Sequence, residues 1–159
     1  MPTSEEHQNQ ALHNLQFLKE VNSHCNNYYD WQVTVCFYSS LHFINAHLNK
    51  VDIGVDFATH ELVDQYIRPH GRIRKTQLEE NTYASYRALQ TLSRRARYLR
   101  NDKNPDKAAF TGEKHFGKAI YHLDQIMTYM KETYHMTFDT VELTCERLKK
   151  QDCHFFQHL

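Results

Sequence analysis

From Trp31 to Asn49 the chain runs without a glycine or a proline, and apolar side chains occupy most sides of the helical wheel. Such a stretch is stable only as a helix enclosed by neighbours, because water would otherwise meet apolar surface all round it. The neighbours must then be helices carrying one apolar stripe each. Four Gly and three Pro in 159 residues leave few points at which helices could be broken into strands and tight turns. The expected fold class is therefore all-α, an up-and-down antiparallel helical bundle of four to five helices in one domain.

The enclosing segments can be placed. Thr3 to Glu6 has the form of a capping box, and Leu12, Leu15, Leu18, Phe17 and Val21 follow at helical spacing, which predicts a helix over residues 4–22. Asn26 and Asn27 break it, and Asp30 is placed to cap the central helix. A loop is expected from Val51 to Asp56 and a short helix from Phe57 to Ile67, stopped by Pro69-His70-Gly71. Leu89, Leu92, Ala96 and Leu99 mark a helix over Thr76 to Arg100, and Phe116, Ile120, Leu123, Met127 and Met130 mark another over Glu113 to Tyr134. Asp139 and Glu142 could cap a last helix reaching Lys149. Residues 1–135 thus read as the bundle, and 136–159 as a C-terminal helix and tail packed on it or lying at an interface.

No stretch of about 18 apolar residues occurs and the start of the chain is polar, so a cytoplasmic protein with no membrane partner is expected. Cys25, Cys36, Cys145 and Cys153 fall in no CxxC spacing and read as reduced thiols. The twelve histidines include no HExxH, and His42 and His47 are five apart and so diverge on a helix. Neither a metal nor another cofactor is expected.

Formal charge is zero but unevenly spread. Residues 68–100 carry nine Arg or Lys side chains against Glu79 and Glu80. Such a block is either a solvated helix face or, since the guanidinium fork matches phosphate oxygens, a phosphate-recognition surface. On the wheel of the central helix, Trp31, Val35, Tyr38, His42, Asn45 and Asn49 share one stripe. His42 is then either a histidine satisfied in the core or an acid/base group. On the later helix, Tyr83, Tyr86, Gln90, Ser93 and Arg97 share a stripe edged by Arg94 and Arg100. That aromatic and cationic face suits single-stranded RNA, a subunit interface or plain surface. His70, next to Arg72 and Arg74 in a loop, adds an imidazole beside two guanidiniums, a combination suited to metal-free cleavage of RNA or simply a basic loop.

The run Trp31-x-x-Thr34-x-x-Phe37-Tyr38-Ser39-Ser40-Leu41-His42-x-x-x-Ala46, the loop from His70 to Arg74, and Tyr86-x-x-Leu89-x-x-x-Ser93-Arg94-x-Ala96-Arg97-Tyr98 together resemble small prokaryotic HEPN-domain proteins over about residues 5–133. The resemblance implies a helical bundle, frequent homodimerisation and association with RNA or nucleotides, often in toxin-antitoxin or defence systems, where a nucleotidyltransferase-type antitoxin can be the partner. Catalytic members resemble metal-independent endoribonucleases and carry Arg and, after four to six further residues, His. Here only Arg147 and His154 have that spacing, and they lie beyond the expected bundle. The family's catalytic pair is therefore not carried over. His42 or His70 with Arg97 stand as the catalytic candidates, and Arg72, Arg74, Tyr86, Arg94 and Tyr98 as RNA- or nucleotide-binding candidates. The alternative expectation is a non-catalytic homodimeric interaction protein that uses the same face.

Overall fold

The computed structural model describes residues 1–52 and 54–159; Ile53, within the expected loop from Val51 to Asp56, lies outside the described residues. Among the described residues there are five α-helices: α1 (Ser4–His24), α2 (Tyr29–Val51), α3 (His60–Ile67), α4 (Glu80–Tyr98) and α5 (Glu113–Tyr134). The all-α expectation holds. No helix is long and apolar enough to cross a membrane.

The start of α1 is sealed by the expected reciprocal box, in which the Glu6 N–H donates to the Thr3 hydroxyl and the Thr3 N–H to the Glu6 carboxylate. Asp30 does not cap α2; Tyr28 holds that position without a side-chain bond, and Asp30 lies in the first turn, where its charge favours the helix dipole. Thr59 caps α3, which begins three residues later than expected. The helix expected from Thr76 forms only from Glu80, because the Thr76 backbone and hydroxyl are committed elsewhere. Its hydroxyl donates to the Tyr66 carbonyl and its own carbonyl accepts from His47.

The chain goes up, down, up and down through α1, α2, α4 and α5. The Ser4 hydroxyl donates to the Ala46 carbonyl, and the Asn22 amide donates to Gln32, so α1 runs antiparallel to α2. Tyr29 meets Phe116 at one end of α2 and His47 meets Tyr134 at the other, so α5 runs parallel to α2. Helix α2 packs on α1, α4 and α5, while α1 makes at most marginal contact with α4 or α5. Val33, Cys36, Phe37, Phe43, Ile44, Ala46 and Leu48 are fully buried, as an enclosed helix requires.

Two seams remain along α1. The one towards α5 is filled by residues 136–159, where the expected C-terminal helix does not form. Instead β1 (Val141–Leu143) pairs in parallel with β2 (Phe156–His158), and a short 3-10 turn covers Glu146–Lys150 between them. The capping signal at Asp139 loses to long-range partners. The Asn22 side chain of α1 accepts from the Thr144 N–H and donates to its carbonyl, which holds that segment extended. Phe138 wedges between Phe43 and Phe155. The other seam, towards α4, has no such filling.

Candidate functional site

The floor of the open seam is the polar stripe of α2. Along it Trp31 is 63% exposed, Tyr38 and His42 are half-buried, and Asn45 is buried. Tyr38 and His42 lie one helical turn apart, so they share a face, yet they turn to opposite walls. His42 meets His7 of α1, with Nδ1 to Nδ1 at 2.9 Å. Tyr38 meets Arg97 of α4, whose guanidinium donates to the Tyr38 hydroxyl at 3.2 Å.

Arg97 is the most distinctive group in the seam. Its Nε donates to the Ser93 hydroxyl one turn back, and Nη1 also reaches the Tyr98 hydroxyl. The guanidinium carbon lies 4.8 Å from the centre of the Tyr98 ring, 5.6 Å from that of Tyr38 and 5.9 Å from that of Phe37. Arg97 is half-buried, and no carboxylate pairs with it among the described residues. Neutral hydroxyls and aromatic faces orient the cation without neutralising it, which leaves its charge available to an anion.

His60 completes this corner. It stands at the start of α3 with its ring 5.6 Å from Phe37, on the same buried ring that supports Arg97. Burial, and after it the Arg97 charge, push the His60 imidazole below its ordinary value, so it is neutral near pH 7.

The expected residues do not form one groove. Arg94, Arg97 and Tyr98 sit at the C-terminal end of α4, where cations also favour the helix dipole. His70, Arg72 and Arg74 lie before its N-terminal end, and His70 bonds to Glu80 at 3.0 Å. Glu80 and Arg97 are about 25 Å apart along the axis at 1.5 Å per residue. The His70 loop therefore cannot serve the ligand that Arg97 holds. Part of the basic block is also neutralised. Buried Asp64 pairs with Arg68 and Arg87 and accepts from the Tyr83 hydroxyl at 2.7 Å, Lys75 pairs with Asp52, and Arg100 with Asp102.

Tyr86, expected on the stacking face, is a core residue. It is fully buried against Phe37, and its hydroxyl has no partner. Burial drives its pKa upwards, keeping the phenol neutral. An unmet buried hydroxyl costs about 1–3 kcal/mol. Tyr86→Phe should therefore stabilise the protein by about 1 kcal/mol, visible as a higher urea midpoint at unchanged slope; a lower midpoint would show that the hydroxyl is satisfied.

Sequence reasoning missed two histidines. His7 was legible, since it continues the inner stripe of Ala11, Leu15, Leu18 and Asn22 at steps of three or four residues. No local signal connects His60 to Phe37. His47 is a core histidine: Nε2 faces the Thr76 carbonyl at 2.9 Å and must carry the proton, leaving Nδ1 to accept from Tyr134.

Burial lowers the pKa of His7, His42, His47, His60, His115 and His122; for His115, the cations Arg95, Lys114, Lys118 and Arg147 add to it, and its value falls to about 4. Unfolding restores each to about 6.5, so the unfolded chain binds more protons below that pH. Stability from these groups is complete above about pH 6.5 and is lost on acidification towards pH 4. Urea midpoints measured at intervals from pH 7.5 to 4.5 should fall steadily; a flat profile would refute the neutral, buried assignment.

Comparison with known proteins finds no family model, no curated protein and no solved structure that matches this chain.

Proposed function

We propose that the protein binds RNA or a nucleotide through the seam between α1 and α4, as a HEPN-like bundle would. The observation that carries this reading is Arg97, a half-buried cation held by Tyr38, Tyr98 and Ser93 with no carboxylate beside it. A phosphate supplies the missing charge, Arg94 on the next turn adds a second cation, and the exposed faces of Tyr98 and Trp31 offer surfaces on which bases stack. The resemblance of the sequence extends the proposal to metal-independent endoribonuclease activity, to a toxin-antitoxin or defence setting with a nucleotidyltransferase-type partner, and to a homodimer. For that chemistry His60 is the histidine nearest Arg97's supporting ring, ahead of His42, which is engaged by His7.

The test is fluorescence anisotropy of a labelled single-stranded RNA over a salt series. Wild type should bind at low salt and weaken steeply as salt rises. Arg97→Met should bind roughly tenfold more weakly or worse, since a charge-assisted hydrogen bond contributes about 1.5–3 kcal/mol. Arg72→Met, at the far end of α4, should bind as wild type. Absence of binding at low salt sinks the proposal. A second reading is favoured by the exposure of Trp31, Tyr98 and Phe17: this aromatic surface is the contact of a non-catalytic homodimeric interaction protein. Sedimentation of wild type and Trp31→Ser separates the two, because only the second reading predicts that the variant alone is monomeric.

A further inference from the structure

His7 and His42 come from different helices, lie 35 residues apart in the chain, and bring their Nδ1 atoms to 2.9 Å. Both rings are half-buried, and burial keeps both neutral near pH 7. Two imidazole nitrogens that converge in this way need either one shared proton or one shared cation. Metal–imidazole bonds of about 2.0–2.1 Å at a right angle place their nitrogens about 2.9 Å apart, and at the tetrahedral angle about 3.3 Å. The observed separation is therefore that of a chelating pair, within a few tenths of an ångström of either geometry.

A second observation points to the same place. Asn45, three residues beyond His42, is 8% exposed, and its Oδ1 is a buried acceptor with no hydrogen-bond donor. Asn45 lines a cavity of about 200 Å³ together with His7, Asn49 and Asp56. Among the described residues no third imidazole, thiolate or carboxylate joins the pair. The Asn45 carbonyl is the oxygen donor at hand, water can occupy the remaining positions, and Asp56 adds negative charge to the cavity.

We propose that His7 and His42, with Asn45, bind a divalent transition-metal ion of the zinc class that clasps α1 to α2. Neutral imidazole suits zinc and nickel, and an amide oxygen is an acceptable third donor for both. The site is independent of the Arg97 corner, so it does not depend on the RNA-binding proposal. Local spacing could not reveal it, because each helix contributes one histidine to the pair.

Metal-free protein titrated calorimetrically with Zn²⁺ at pH 7.5 should take up one tight equivalent, and Ni²⁺ should compete for it. His7→Gln and His42→Gln keep hydrogen-bonding capacity across the pair, yet each should weaken zinc binding roughly tenfold or more. His13→Ala and Cys25→Ser change exposed potential ligands elsewhere and should leave binding unaltered. Excess Zn²⁺ should raise the thermal midpoint of wild type and of neither glutamine variant. Asn45→Ala should bind several-fold more weakly. Absence of saturable binding, or a zinc equivalent that survives both glutamine variants, overturns the proposal.

Discussion

Asp124→Ala should destabilise the protein by about 3 kcal/mol and free its last residues from the bundle. Asp124 is fully buried in α5 and accepts from the backbone N–H of His154 at 2.9 Å and of Phe155 at 2.8 Å, with the His154 ring at 3.2 Å. Truncation leaves two backbone donors unmet beside an apolar core, at about 1–3 kcal/mol each. It also loosens Phe155, whose ring closes on Phe138 and through it on Phe43. Asp124→Asn preserves shape and one acceptor, so it should cost less, about 1–2 kcal/mol, because its NH₂ now faces N–H groups. Urea denaturation gives the free energies. Amide exchange locates the loss: protection should disappear first over residues 141–158 in the alanine variant, while α2 remains protected. Unchanged protection there would mean that Asn22 and the phenylalanines hold the segment unaided.

The elements legible in the sequence are those whose stability is local or periodic. The enclosed character of α2, the inward face of α5 from Phe116 to Met130 and the capping box of α1 were all readable from spacing. The C-terminal segment was not. Its conformation is imposed by Asn22, more than a hundred residues earlier, and by Asp124, and neither signals its partner in sequence. Tertiary bonds there override a local capping pattern. The candidate site was half legible for the same reason. The wheel correctly put Tyr38 and His42 on one stripe and Arg97 on another, but pairing of stripes is a property of packing. Burial of Tyr86, capture of Arg68 and Arg87 by Asp64, and the distance of the His70 loop from Arg97 are consequences of how α3 folds back across α4. Arginines of equal standing in the sequence thus divide into neutralised and available ones.

Phe37 joins the core to the seam, so its substitution should affect both, and to different extents. The ring is fully buried and meets Tyr86 at 6.0 Å, Tyr38 at 5.4 Å and His60 at 5.6 Å, with the Arg97 guanidinium at 5.9 Å. Phe37→Ala opens a cavity where α2, α3 and α4 meet and should cost about 3–5 kcal/mol, read as a large fall in urea midpoint. Phe37→Leu retains most of the volume and should cost about 1–1.5 kcal/mol, leaving the protein folded at room temperature. Leucine has no ring face for the guanidinium, and such a contact contributes about 0.5–1 kcal/mol at a partly exposed site. If Phe37 orients Arg97 for an anion, Phe37→Leu should weaken RNA binding about two- to fivefold with every charged group still in place. Wild-type affinity in that variant would assign the orientation of Arg97 to Ser93 and the two tyrosines alone. A fall as large as that of Arg97→Met would show instead that the ring positions more of the seam than this one cation, His60 first among its contacts.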